Sequence, residues 1–144
     1  MSEKSEIPPG APTRAKPESF RARALQASLT VKDIENSLAW YRDVLGFTVD
    51  RRHERNGRFA SVSLKAGRVR ILLNQDDGAK GWDRAKGEGI SLMFTTVQSV
   101  DEIAARVKAS GGSIDTGPVD TPYGMRLLRL RDPDGFVLVF SASL

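Results

Sequence analysis

The sequence predicts an α+β domain made of two βαβββ repeats, folded as curved mixed sheets around a central cleft with the helices outside. Three observations carry this. Strand-like and helix-like hydrophobic periods alternate in a fixed order, and turn residues punctuate them at matching intervals. The length, 144 residues, suits one domain with a sizeable core.

Residues 1–20 hold four of the seven prolines, at 8, 9, 12 and 17, and balanced charge. They predict a flexible N-terminal tail, with a single domain over 21–144. Leu25, Ala27, Leu29 and Val31 alternate with Gln26, Ser28 and Thr30, the period of a strand with one apolar face. Asp33 can cap the helix that follows, where Ile34, Leu38, Tyr41 and Leu45 recur at helical spacing. Gly46 stands where a left-handed cap is wanted. Strands are expected around Phe47–Arg52, Arg58–Lys65 and Arg68–Leu73, with hairpin turns at Asn56-Gly57 and Ala66-Gly67.

The same programme then runs again. Ile90–Val97 reads as a strand, and Ser99 with Glu102 forms a capping box. Val100, Ile103, Ala104 and Val107 make the stripe of a second helix, ended by Gly111-Gly112. Strands are expected near Ser113–Thr116, Met125–Arg131 and Phe136–Ser141, with a turn at Asp132-Pro133-Asp134-Gly135. Val31 and Val97 stand 66 residues apart, as do Gly46 and Gly112; Gly57 and Gly124 stand 67 apart. Repeat 1 thus covers about 21–74 and repeat 2 about 90–144. Between them, Asn74–Gly89 is a connector with four glycines and Trp82, either a lid or a slack crossover.

Composition excludes several classes. There is no cysteine, hence no disulfide, thiolate metal site or cysteine nucleophile. No apolar run is long enough to cross a bilayer, and the N-terminus has no apolar signal core, so a cytoplasmic location without membrane attachment is expected. The net charge is +4, and residues 51–70 hold seven Arg or Lys against Glu54. With Phe59 as their sole aromatic and no recognition-helix motif, these residues read as solvated strand faces; no nucleic-acid partner is expected. Nucleophile-elbow, P-loop and dinucleotide-binding motifs do not occur. His53, the one histidine, reads as an exposed hairpin residue.

Leu29-Thr30-Val31-Lys32-Asp33, the run Trp40 to Phe47, Gly111-Gly112 and Arg131 to Gly135 resemble, in this order and spacing, the vicinal-oxygen-chelate superfamily of glyoxalases, bleomycin resistance proteins and extradiol dioxygenases. The resemblance covers residues 23–143. It implies a cleft in which metalloenzyme members hold one metal through His, Glu or Gln on the first and last strands of each repeat. Those positions correspond to Gln26, Leu92, Val139 and Ile71, with Ser91 replacing Leu92 after a one-residue slip. Aliphatic side chains offer a cation no donor, so neither metal nor another cofactor is expected.

With Leu25, Ala27, Leu29 and Val31 toward the helix, Gln26, Ser28 and Thr30 face the cleft. The same parity in repeat 2 selects Leu92, Phe94 and Thr96, and the last strand offers Val137, Val139 and Ser141. Trp82, Tyr123 and Arg126 complete the candidate ligand-binding set. The leading expectation is a metal-free small-molecule-binding protein, a homodimer as the resemblance implies, holding an apolar or anionic compound. One alternative is a superfamily lyase, isomerase or dioxygenase with an atypical site, using Gln26, Tyr123 or Arg126. Another is a structural dimerisation module whose cleft is filled by its own side chains.

Overall fold

The computed structural model describes residues 19–144, so the tail expected over 1–20 lies almost wholly outside the described residues. Two βαβββ units follow each other. The first comprises β1 (Ala27–Val31), α1 (Ile34–Asp43), β2 (Thr48–Arg55), β3 (Arg58–Ala66) and β4 (Val69–Gln75). The second comprises β5 (Ser91–Thr95), α2 (Val100–Ala109), β6 (Thr116–Asp120), β7 (Met125–Arg131) and β8 (Val137–Ser143). Each unit makes one four-stranded mixed sheet, ordered β1-β4-β3-β2 and β5-β8-β7-β6. The crossover pairs, β1 with β4 and β5 with β8, are parallel.

Local chemistry explains the boundaries. Asp33 accepts from the Asn36 amide and Ser99 from the Glu102 amide, each satisfying a free donor at a helix start. At the end of α1, Gly46 takes φ +85°, and the Phe47 amide donates back to the Tyr41 carbonyl at 3.0 Å. Asn56 and Gly57 both have positive φ, as the tight turn between β2 and β3 requires.

Two local expectations are corrected. Leu25 precedes β1 and is 98% exposed rather than packed beneath α1. The strand expected near Ser113–Thr116 instead runs over Thr116–Asp120, through Gly117-Pro118. A proline there is tolerated because β6 is an edge strand and its pairing with β7 shifts register between Thr116 and Val119.

A single hydrophobic core joins the units. Leu29, Val31, Val62, Leu64, Ile71 and Leu73 meet Ile34, Leu38 and Tyr41 of α1, while Leu128, Leu130, Leu138 and Phe140 meet Val100, Ala104 and Val107 of α2. An aromatic series crosses between them. Tyr41 and Phe47 are edge-to-face at 5.5 Å, Phe47 and Phe94 at 6.1 Å, and Phe94 stacks on Phe140 at 5.0 Å. The two sheets do not close on each other, and each keeps the face away from this core open.

The turn Asp132–Gly135 ties the units by polar contacts. The buried Tyr41 hydroxyl donates to Asp132 at 2.7 Å, and the Asp134 and Phe136 amides donate to the other oxygen, both at 2.9 Å. Asp134 accepts from the Lys32 amide at 2.8 Å and from Lys86 at 3.2 Å. Lys86 also reaches Asp76 at 3.0 Å, and both of those side chains are buried. The connector is thereby pinned at both ends. Gly87 lies so close to Phe136 that a Cβ would stand 2.7 Å from its ring.

Burial raises the Asp132 carboxyl, opposed by the hydrogen bonds it accepts from Tyr41, Phe136 and Asp134. Burial and the neighbouring Asp132 raise the Tyr41 hydroxyl. The amide of Gly78, then Lys86, hold Asp76 at about 2, below its ordinary 3.8.

Tyr41→Phe removes a donor from a buried carboxylate and is expected to cost about 1–3 kcal/mol, read as a lower urea midpoint at unchanged slope. An unchanged midpoint would contradict the tie. The depressed Asp76 contributes stability above its unfolded value, and that contribution is lost as pH falls through about 2. The raised Asp132 titrates on the other side of the ordinary value. The melting temperature should therefore drop between pH 3.8 and about 2, and drop less in Lys86→Met. Equal drops in the two proteins would remove Lys86 from the account.

Candidate functional site

Strand alternation sorts every side chain to the core or to the open face. On the first sheet, Leu29, Leu73 and Val62 lie side by side toward the core, so Ser28, Leu72 and Ser63 lie together on the other face. Thr30, Asn74 and Ser61 continue that face. It is rich in hydroxyls, and the Asn74 amide donates to Ser28 Oγ at 2.8 Å. Its acid, Asp50, is already engaged by Ser63 and Arg70, both at 3.1 Å, and by Lys65 at 3.8 Å.

On the second sheet, Leu92, Leu138, Phe140, Leu128 and Leu130 belong to the core side. The open face carries Ser91, Met93 and Thr95 from β5, Val137, Val139 and Ser141 from β8, and Leu127, Arg129 and Arg131 from β7. Val137 and Val139 are buried among their strand neighbours yet stand apart from the main core cluster.

Several candidate residues therefore need relocation. Gln26 lies just before β1 and is exposed. Ser28 and Thr30 stand on the open face, as does Val139. Leu92 and Phe94 pack toward the core instead, and Thr96 lies beyond the end of β5. The spacing between the repeats is 66 residues at the helices, but the core positions Ala27 and Leu29 match Leu92 and Phe94 at 65. A one-residue slip exchanges the faces of a strand. Ile71 is likewise core, and Leu72 takes the open position opposite Ser28.

Arg126 is also on the helix side, held by Asp120 at 2.6 Å and by Asp101 of α2 at 3.0 Å. These two carboxylates push its guanidinium further into the charged form. Tyr123 sits in the β6–β7 turn, 71% exposed. Trp82, 48% exposed, packs on Gly78 of its own connector, where a Cβ would collide with the indole.

Two hollows stand out among the described residues. One, of about 600 Å³, lies on the open face of the second sheet between Gly87–Ser91 of the connector and Arg129, Arg131 and Val137. The other, of about 1110 Å³, lies at the junction of the units, lined by Phe47, Phe94 and Phe140 with Arg68 and Arg106. The larger one includes Phe94 and Thr96 but none of the other candidate residues. The smaller one abuts Ser91 and the strand bearing Val139, and it is the better candidate site. Arg129 and Arg131 were missed in the sequence; the alternation of Leu128 and Leu130 with them carried the signal.

The four positions assigned to a metal by resemblance resolve to Gln26, Ser91, Leu72 and Val139. Two weak oxygen donors and two aliphatic side chains do not fit a divalent cation. Among the described residues no three His, Cys, Asp or Glu side chains form a group able to hold one. Also among the described residues, no helix is long and apolar enough to cross a membrane. Hydroxyls, an amide, aliphatic surface and guanidinium groups remain, which is an inventory for binding.

Comparison with known proteins agrees with this architecture. Residues 23–140 match the family model described as Glyoxalase/Bleomycin resistance protein/Dioxygenase superfamily. No curated protein matches the chain. Among solved structures, TioX from Micromonospora sp. ML1 is 22% identical with a TM-score of 0.70, covering 85% of this chain and 100% of its own. TnmS3, an antibiotic binding protein from Streptomyces sp. CB03234, is 22% identical with a TM-score of 0.66, covering 88% and 100%. A glyoxalase/bleomycin resistance protein/dioxygenase from Nocardioides is 20% identical with a TM-score of 0.66, covering 89% and 87%. At these identities the likeness is one of fold.

The face assignment is open to a direct check. Leu92→Ala should cost about 2 kcal/mol of stability, as truncation in a core does. Met93→Ala, at a side chain 66% exposed, should change it by less than about 0.5 kcal/mol. The reverse order in urea unfolding would return Leu92 to the open face.

Proposed function

Because the chain belongs to the glyoxalase/bleomycin resistance protein/dioxygenase superfamily, we propose that it is a cytoplasmic, metal-free small-molecule-binding protein. Its ligand, apolar or anionic, is held against the open faces of the two sheets. The observation that carries this reading is the donor set. Val139 and Leu72 stand where a metal would need oxygen or nitrogen, while the surrounding face keeps the mixture of apolar and hydroxyl groups that suits an organic ligand. An antibiotic binding protein with this fold supports the same class of role.

The binding unit is a homodimer. Within one chain the sheets do not close on each other, and the second sheet leaves Met93 and Val119 uncovered. A second copy that sets the first sheet of one subunit against the second sheet of the other would cover both faces and enclose the ligand. The hydroxyl-rich wall would then oppose the aliphatic one. Gln26, Ser28, Thr30 and Val139 would contact the ligand directly.

The enzymatic alternative is weaker. Of the groups available to it, Arg126 is bound by two carboxylates on the helix side and Tyr123 projects from a turn. A module with a filled cleft is disfavoured by the hollow beside Ser91.

Native mass spectrometry of protein purified without chelator should give a dimer with substoichiometric metal, and chelator should leave its melting temperature unchanged. Titration with a panel of hydrophobic acids and antibiotics should quench tryptophan fluorescence saturably. One tightly held divalent ion per subunit, or the absence of saturable binding across the panel, would overturn the proposal.

A further inference from the structure

We infer that the Arg129 guanidinium is the anchor for a carboxylate on the ligand, so that the compound bound is an aromatic or aliphatic organic acid. The inference rests on the binding role proposed above and specifies its chemistry.

Arg129 sits on β7, an interior strand, on the open face of the second sheet. Its register neighbours are Val139 on β8 and Thr116 on β6. Neither is charged. Among the described residues Arg129 makes no ion pair, although it lines the 600 Å³ hollow. Arg131, two residues on and facing the same way, differs. It donates to Asp115 at 3.0 Å and to the Gly135 carbonyl at 3.3 Å. The two arginines of the hollow are thus unequal, one tied to the protein and one available.

An exposed arginine needs no counter-charge in water. The position of Arg129 changes that once a ligand or a second copy covers the face, because a desolvated guanidinium without an anion is costly. The opposite wall offers no relief. Its open face carries Arg51, Lys65 and Arg70, with His53, and its one acid, Asp50, is already engaged by Ser63, Arg70 and Lys65. On the second sheet Asp115 is held by Arg131. Glu88, flanked by Gly87 and Gly89, borders the same hollow and is the remaining carboxylate there. It lies on the connector rim rather than on the sheet floor, so it leaves the apolar side of Arg129 open to a ligand.

Guanidinium is suited to this task. Its planar array of donors matches a carboxylate through two parallel charge-assisted hydrogen bonds. Val137, Val139 and Met93 beside it would take the hydrocarbon part of the ligand.

The test compares 9-anthracenecarboxylate with its neutral amide, followed by fluorescence anisotropy on the intact protein. The acid should bind at least about tenfold more tightly than the amide, the scale of a charge-assisted hydrogen bond. Arg129→Gln should weaken the acid by about tenfold, leave the amide unchanged and so close the gap. Arg131→Gln should preserve the gap. Equal binding of acid and amide to the parent protein would overturn the anchor while leaving the binding role intact. So would a gap that survives Arg129→Gln or vanishes with Arg131→Gln. Failure of both probes to bind would overturn the binding role and the anchor together. The acid-to-amide ratio, measured first on the parent protein, tests the preference for a carboxylate before any variant is made.

Discussion

The structure depends on how two carboxylates in one turn are satisfied. Asp132 and Asp134 are close in sequence and both poorly solvated, which is costly unless every lone pair finds a donor. The donors come from across the chain: Tyr41 from α1, the Lys32 amide between β1 and α1, and Lys86 from the connector. The hairpin of the second unit therefore cannot form its native environment without the first unit and the connector in place. This fixes the helix-bearing sides together. Tyr41 then brings Phe47, Phe94 and Phe140 into the aromatic series that carries the core across the boundary. Once the core lies on that side, the opposite sheet faces are left open.

This constraint also determines what the connector can do. A glycine-rich segment of this length could have been a mobile cover or slack chain. The ion pairs of Lys86 with Asp76 and Asp134, and the close packing of Gly87 on Phe136, hold its two ends. Gly87 to Ser91 thereby becomes one wall of a hollow at a defined distance from β7 and β8. Burying Lys86 between two acids is not in itself strong evidence of added stability, since its desolvation opposes the attraction. What the cluster does supply is a defined path: any other course for the chain would leave Asp76 and Asp134 without their cation.

Much of the fold was legible because its signals are local. Asp33 and Ser99 cap helices wherever they occur before an apolar stripe, and Asn56-Gly57 specifies a two-residue turn through backbone conformation alone. The site was less legible because its residues depend on parity. The helices repeat at 66 residues but the strands before them at 65, and nothing in the residue types near Thr95–Gln98 marks the extra residue. Carrying one spacing through both elements assigned Leu92 and Phe94 to the open face. The surroundings of Arg126 were hidden for a related reason. Its partners, Asp101 and Asp120, are 25 and 6 residues away, and only the packing of α2 on the second sheet brings all three together. Tyr123 and Trp82 were chosen for their chemistry, and chemistry carries no information about direction.

The missing donors and the available arginine bear on each other. In a metal-binding cleft the ion supplies positive charge to a substrate, and the protein surrounds it with anionic or neutral ligands. Here the positions that would hold the ion carry Val139 and Leu72, and Val139 stands in register with Arg129. Positive charge on this face therefore comes from a side chain. A guanidinium differs from a metal in what it can accomplish. It cannot exchange ligands or generate hydroxide from water, but it can orient a planar anion through paired hydrogen bonds. Once the face is covered, the aliphatic side chains around it would exclude water and strengthen that interaction without assisting bond cleavage. A face built this way would favour retention of a ligand over its conversion, which is the physical content of the binding role proposed above.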